Sequence, residues 1–326
     1  MASLGEYVQK MYLAPRGTAQ SALGPSLYVT SLIYAIIATL LQYVYGQVFV
    51  TLAAVEDPNP TIYTRIDSLA TSEDPISDTG KKPVTSSPSN TTGYLRARGG
   101  FLSCFRGFWV FQLLTTGVFL IMLPFRLLGP IGYFLGSVIA MALLSNVQVL
   151  WVHVVISKPS TKSLWSRLPP FRRTLTRIAS TVFLRTVAVQ IVWRIITPIM
   201  TTIVTGPLPN SGNIYKYTLG NIGLLSLGLV VSVLIQMPAE VIFFRVAASM
   251  LSADEEPIVP FDRTFGGKVT PEILGGSGKI GIVDAWRSFS RESQVLVIKA
   301  IVWNFGIQVA LLFAFGIVFV LETLII

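Results

Sequence analysis

The chain has 326 residues, of which 52% are hydrophobic and only 13% charged, against roughly 25% charged residues in ordinary soluble domains. This composition excludes an ordinary soluble enzyme and predicts an all-α membrane protein whose main partner is the lipid bilayer. The net charge of +9 fits loops that face anionic headgroups, and no motif indicates nucleic acid. One cysteine and one histidine leave almost nothing to hold a metal or a haem, so neither a metal nor any other cofactor is expected.

Long apolar runs recur along the chain, each at least about 20 residues long, the length that crosses the hydrocarbon core. Several runs exceed that length, which indicates tilt or overhang into the headgroup region. Six transmembrane helices are predicted, at 27–55, 108–127, 131–156, 178–204, 219–251 and 295–321.

The connections between these spans alternate between long and short. The long ones, 56–107, 158–177 and 252–294, contain 17 of the 25 Lys and Arg residues, and the opposite side contains four. Because basic loops stay in one compartment, the three long connections should share one side of the membrane and both termini the other. Within the first connection, 67–93 is rich in Pro, Ser and Thr and is predicted to be a disordered loop, since it offers too little apolar surface to offset its ordering entropy.

A polar position recurs near the end of each odd-numbered span. Gln47, Gln148 and Glu240 lie 101 and 92 residues apart. A period of about 100 residues predicts a single domain over 1–326, built from three two-helix repeats. Short amphipathic stretches with small residues and an aromatic–basic pair predict interfacial helices before the second and sixth spans. The predicted repeats cover 26–127, 128–205 and 217–322.

This architecture resembles the mitochondrial carrier family, in which three repeats surround a pseudo-threefold axis. The segment 238–245 (PAEVIFFR) is similar to the family signature of a proline, an acid and two bases, and 105–107 (FRG) resembles the aromatic–basic–glycine sequence after the family's interfacial helix. The motifs are specific in the third repeat, partial in the first and poor in the second. The resemblance implies a mitochondrial membrane, the inner one by family default and the outer one as the alternative.

The resemblance also implies a gate on the long-loop side, where the family closes its cavity with a ring of ion pairs. Only the third repeat keeps both an acid and a base, and Val50, Trp151 and Phe243 stand where the family has its first bases. A ring of charge pairs cannot form from these residues. Glutamines would give a weaker polar closure, whereas the apolar trio predicts a side-chain plug. The gate positions are Gln47, Gln148, Glu240 and Arg245.

Polar side chains inside the spans mark a candidate binding site, because such groups are costly in lipid and usually face a wet interior. The resemblance places Arg185 and Lys299 near a central substrate site, and cations there suit a small anionic solute. The alternative is that both snorkel to the interface. Glu240 is predicted to pair with Arg194, Arg245 or Lys299. The candidate substrate-binding residues, expected to line a cavity open towards the termini, are Arg185, Gln190, Arg194, Lys299 and Asn304.

Two functions from different classes follow from these observations. The first is transport of a small anionic solute by a divergent carrier, which the cations in the spans favour. The second is a carrier-like scaffold that binds membrane-protein partners in fusion, lipid traffic or protein insertion, which the lost ionic ring favours. An enzyme is not expected, because the spans contain no aspartate pair, serine–histidine pair or metal cluster.

Overall fold

The computed structural model describes residues 25–57, 83–160, 162–205, 223–224, 226–270, 276 and 278–325. Within these residues the chain is helical and has no β-strand. The α-helices used below are α1 (Pro25–Leu41), α2 (Phe49–Val55), α3 (Pro88–Gly99), α4 (Phe108–Met122), α5 (Gly129–Leu143), α6 (Ser145–Ile156), α7 (Phe171–Thr205), α8 (Met237–Ser249), α9 (Ile282–Arg287) and α10 (Arg291–Ile325).

In the described part of the chain, six helical stretches are long and apolar enough to cross a membrane. The predicted number of spans is therefore confirmed, and the fold fits a multi-pass membrane protein. Their outward faces keep large apolar side chains exposed, as in Phe313 of α10, which is 71% exposed; such faces suit contact with acyl chains. The six stretches are Ser26–Val55, Phe101–Met122, Pro124–Leu143, Phe171–Ile199, Ser226–Ser249 and Arg291–Phe319.

Each odd-numbered span is interrupted before its C-terminal end. A π-helical segment, Gln42–Val48, separates α1 from α2, and another, Ser232–Gln236, precedes α8. Between them, α5 ends at Leu143 and α6 begins at Ser145. Such irregular turns are places where a helix can change direction, and Pro238 follows the second π-helical segment closely. The prediction of one continuous helix over 131–156 is wrong, because the chain bends at Leu144.

The short helices after these interruptions, α2, α6 and α8, pack against one another and hold the buried core. All seven residues of α2 are buried. The even-numbered spans lie around them: α4 contacts α5 and α6, α7 contacts α5, α6 and α8, and α10 contacts α1 and α2. The densest packing therefore lies at the end of the bundle where the long connections begin.

The described parts of the three long connections meet on one face. The backbone N–H of Asp57, after α2, donates to the carbonyl of Pro260 at 3.0 Å, and the N–H of Lys158, after α6, donates to the carbonyl of Glu256 at 2.7 Å. The connections after the first and third spans thus both touch the connection after the fifth, as the predicted topology requires. Short helical segments stand directly before α4 and α10: a 3₁₀ turn, Phe101–Phe105, and α9. Their location at the membrane interface stays a prediction.

The predicted disordered loop at 67–93 is wrong at its C-terminal end. Residues 84–86 form a 3₁₀ turn, and α3 begins at Pro88, capped by the Ser87 hydroxyl, which accepts from the Asn90 N–H at 3.2 Å. The turn is held by Glu56, whose carboxylate accepts from the N–H groups of Val84 and Thr85. Composition could not reveal this contact, because the partner lies almost thirty residues earlier in the chain. Residues 67–82 of the predicted loop lie outside the described residues.

Replacing Glu56 with glutamine is expected to lower the free energy of unfolding by about 1.5–3 kcal/mol, the typical contribution of hydrogen bonds to a charged group. Glu56 is fully buried, and a glutamine would turn an NH₂ group towards donors that need an acceptor. Thermal unfolding in detergent measures the effect. The exposed Glu256 is the matched control, since Glu256→Gln should change the free energy of unfolding little. If Glu56→Gln lowers that free energy no more than Glu256→Gln does, the Glu56 contacts do not stabilise the fold.

Candidate functional site

The three apolar residues of the predicted side-chain plug are buried at the long-loop end of the bundle. Val50 of α2, Trp151 of α6 and Phe243 of α8 are all buried in the same hydrophobic cluster. The Trp151 indole lies 5.6 Å from the ring of Phe111, centroid to centroid. Its Nε1–H donates to the hydroxyl of Tyr43 at 3.2 Å, so the polar edge of this buried ring has a partner. We call Val50, Trp151 and Phe243 the plug.

An ion pair lies beside the plug and joins three spans. Nε of Arg185 on α7 is 2.8 Å from a carboxylate oxygen of Glu240 on α8, and Nη1 donates to the side-chain oxygen of Gln148 on α6 at 3.2 Å. The guanidinium also lies 4.9 Å from the centroid of Phe243. Glu240 is therefore paired inside the bundle, as predicted, but its partner is Arg185 and not one of the three bases that the sequence suggested.

The two residues that Arg185 contacts, Gln148 and Glu240, each follow an irregular turn of the backbone. Leu144, with φ −97° and ψ 17°, separates α5 from α6, and the Gln148 side chain donates across this break to the carbonyl of Met141 at 2.7 Å. Glu240 stands in the first turn of α8, directly after the π-helical segment Ser232–Gln236. Arg185 thus meets two acceptors that each lie a few residues after an irregular turn of an odd-numbered span.

The other candidate binding residues have separate partners in the described contacts. Gln190 donates to the Ser137 hydroxyl at 2.9 Å. Arg194 is exposed and donates to the carbonyl of Pro130 at 3.1 Å. It lies nine residues, or about 13.5 Å, further along α7 than Arg185. It is therefore not the partner of Glu240.

Lys299 and Asn304 face different neighbours from Arg185. Lys299 is exposed, and it lines a narrow crevice with Phe49, Thr85 and Ser87. Asn304 donates to the Gln42 side chain at 3.0 Å, between α10 and the first π-helical segment. The expectation that Lys299 and Arg185 act together is not supported by these contacts: α10 packs on α1 and α2, whereas α7 packs on α5, α6 and α8.

The remaining gate residues, Arg245 and Gln47, are not paired with Glu240 in the described contacts. The buried Arg245 donates to the carbonyl of Ala54 at 3.2 Å and to the Ser288 hydroxyl at 3.0 Å. Its guanidinium lies over the rings of Phe265 and Phe289, at 4.7 and 5.4 Å from their centroids. Gln47 is half-buried, and its backbone carbonyl accepts from the Thr51 hydroxyl. Arg245 therefore ties the end of α2 to the loop and helix before the sixth span.

A peptide segment crosses the helix ends beneath the plug. We call residues 255–261 the strap. It pairs with the end of α6, where the Ile258 N–H donates to the Ile156 carbonyl at 2.7 Å and Ser157 and Pro257 form an isolated antiparallel bridge. Its apolar side chains, Ile258, Val259 and Phe261, are buried. Sequence reasoning missed the strap, although three large apolar residues close to two prolines in a polar loop were a usable signal.

Charged side chains fasten and border the strap. Arg167 makes a two-pronged contact with Glu255, Nε to Oε1 at 2.7 Å and Nη2 to Oε2 at 2.9 Å, and these side chains are only 6% and 10% exposed. Hydrogen bonds from Lys162 and Lys158 lower the pKa values of the exposed Asp254 and Glu256. Those two pairs are in solvent and contribute little, so the Arg167–Glu255 pair is the strong electrostatic contact here.

An apolar groove of about 330 Å³ lies between α7 and α8. The lining of the groove includes Leu184, Ala188, Ile191, Pro238, Ile242 and Trp286.

Among the described residues, no group of three His, Cys, Asp or Glu side chains could hold a metal ion.

Comparisons with protein-family models, with curated proteins and with solved structures give no match to this chain.

Proposed function

We propose that this protein is a carrier-like scaffold of a membrane, closed on its long-loop side, and not an alternating-access transporter. The observation that carries the proposal is the double closure at that end. The plug residues, one each from α2, α6 and α8, are buried in one apolar cluster, and the strap lies against the ends of α6 and α2. A transporter needs a closure that opens at modest cost on each cycle.

The free energy of opening differs between a closure made of ion pairs and a closure made of buried apolar side chains. A ring of three exposed ion pairs contributes about 0–1 kcal/mol for each pair, which a bound solute can offset. Exposing a fully buried large apolar side chain costs about 1.5–3 kcal/mol, and here the three buried side chains of the strap and three of the plug would all have to move. Because each 1.4 kcal/mol reduces the open population tenfold, the closed form dominates.

A body of fixed shape in the bilayer can bind membrane-protein partners, which is the role we propose. Resemblance to the mitochondrial carrier family supports the three-repeat arrangement, and so does the interruption of all three odd-numbered spans before their buried ends. The same resemblance is our reason to propose a mitochondrial membrane as the location.

Transport of a small anionic solute is the second candidate. The guanidinium of Arg185, which contacts Glu240 and Gln148, favours it. The Arg185 and Glu240 side chains are 16% and 15% exposed, so an anion that reached them could compete with the Glu240 carboxylate for the guanidinium. Such a solute would have to enter from the side of the termini, because the plug closes the other end.

Uptake by the purified protein in sealed vesicles decides between the two functions. We expect no uptake of anionic metabolites or nucleotides above that of protein-free vesicles, and no change with Arg185→Ala. Saturable uptake that Arg185→Ala abolishes and Arg194→Ala preserves would establish transport and contradict the scaffold. Both variants are checked for an intact thermal transition, so that loss of the fold is not mistaken for loss of binding.

A further inference from the structure

Residues from all three long connections converge where the strap begins. Arg167 of the second connection binds Glu255 of the strap and donates through Nη2 to the Ser157 hydroxyl at 2.7 Å. Arg106 of the first connection donates to the carbonyl of the same serine at 2.5 Å. Ser157, at the end of α6, therefore has one arginine on its hydroxyl and another on its carbonyl. Among the described residues at this junction, Glu255 is the carboxylate that Arg167 contacts.

Arg167 is paired with that carboxylate, and Arg106 places a second positive charge nearby. Arg106 and Arg167 are close enough to repel each other, and the Nε and Nη1 atoms of Arg106 are buried with no hydrogen-bond partner among the residues that the structure describes. Like charges in a partly buried site are tolerated only when an opposite charge lies between or beside them. Removal of Glu255 would leave two cations facing each other beneath the strap, and removal of Arg167 would leave a mostly buried carboxylate unpaired.

Besides the ion pair, the strap is held by the burial of Ile258, Val259 and Phe261 and by neutral hydrogen bonds. Ile258 is bound to Ile156 through one backbone hydrogen bond, and Pro260 accepts another from Asp57. Tyr94 donates to the Ile258 carbonyl at 2.8 Å. Each neutral hydrogen bond is replaced by a bond to water when the strap lifts, so its net effect is small. The buried ion pair cannot be replaced in this way unless both charges reach solvent together.

We propose that Arg167 and Glu255 form a latch: the intact pair holds the strap against the helix ends, and loss of the pair raises the fraction of molecules in which the strap lifts as a unit while the bundle stays folded. This inference rests on the closed bundle proposed above and adds the point at which its outer closure is controlled. Lifting would expose the underside of the strap, with Ile258, Val259 and Phe261, and the end of the bundle that it covers.

Cysteine labelling tests the latch. A single Val259→Cys reporter is introduced in a Cys104→Ser background, and the protein is placed in nanodiscs, where maleimide reaches both faces. Val259 is 1% exposed, so labelling reports lifting of the strap. Glu255→Gln and Arg167→Ala should each accelerate labelling by roughly 100-fold or more, the factor that corresponds to loss of one partner of a buried pair. Arg167→Lys, which keeps the charge but loses the fork, should give a smaller increase.

Two controls separate lifting from unfolding. A second reporter, Val149→Cys, placed at a fully buried position of α6, should stay protected in every latch variant. Glu256→Gln removes the neighbouring exposed pair with Lys158 and should leave the labelling of the Val259→Cys reporter unchanged. The latch is overturned if the Glu255 and Arg167 variants do not accelerate labelling, if the two reporters accelerate together, or if Glu256→Gln has the same effect. Failure of the scaffold proposal would appear separately, as solute uptake by the unaltered protein.

Discussion

Replacing Arg185 with methionine is expected to lower the free energy of unfolding by about 3–5 kcal/mol, the usual consequence of removing one partner from a buried ion pair. The pair lies inside the bundle, with side chains only 16% and 15% exposed. Without the guanidinium, the Glu240 carboxylate would be left in an apolar surrounding, and the Gln148 side-chain oxygen would lose its donor. Phe243 would lose its cationic neighbour as well.

The double variant Arg185→Met/Glu240→Leu is the matched control for this prediction. It removes both charges and fills most of their volume, and such replacements of buried pairs are often neutral or stabilising. We therefore expect the double variant to recover most of the stability that Arg185→Met loses. Thermal unfolding in one detergent measures all three proteins, and Lys162→Met, at an exposed pair, should behave like the unaltered chain.

The outcome also bears on function. If Arg185→Met alone changes nothing, the guanidinium must be hydrated rather than committed to Glu240, and the hypothesis of an anion-binding transporter gains. If the large loss occurs and the double variant restores stability, Arg185 and Glu240 act mainly as a structural pair. The same measurement therefore tests the stability argument and weighs the two proposed functions.

The number of spans could be predicted from the sequence because it depends on local composition. Each apolar run is continuous, and its length can be compared directly with the thickness of the hydrocarbon core. The bend at Leu144 could not be predicted in the same way. No proline or glycine stands at that position, and the polar Ser145, Asn146 and Gln148 that follow it are also found inside helices. The interruption depends on contacts across it, such as that of Gln148 with Met141.

The partner of Glu240 shows what a single sequence cannot reveal. An acid within a span requires a base or a polar neighbour, and that part of the prediction is confirmed. Which base it meets depends on which helices pack together, and Arg185 and Lys299 occupy similar places in their own spans. Because α7 contacts α8, Arg185 reaches Glu240. The strap depends even more on distant contacts, since Arg167 and Glu255 are 88 residues apart.

Replacing Trp151 with alanine is expected to lower the free energy of unfolding by about 3–5 kcal/mol, the usual loss for a buried aromatic side chain. Trp151 is 2% exposed and is among the largest fully buried side chains of the described part of the chain. It fills the plug between α2, α6 and α8, contacts the rings of Phe111 and Phe244, and binds the hydroxyl of Tyr43. Alanine would leave a cavity and remove the donor from that hydroxyl.

Two variants separate the causes of this loss. Trp151→Phe keeps an aromatic ring in the plug but removes the Nε1–H donor, so its effect should be intermediate. Trp165→Ala changes the same residue type at a position that is 79% exposed and should leave stability almost unchanged. Thermal unfolding in detergent measures all three. Equal losses for Trp151→Ala and Trp165→Ala would mean that residue 151 is not in a packed plug, and the closed long-loop end would then lose its main support. A large loss at Trp151 alone shows that the closure is made by packing, which a small solute cannot open through one or two polar contacts.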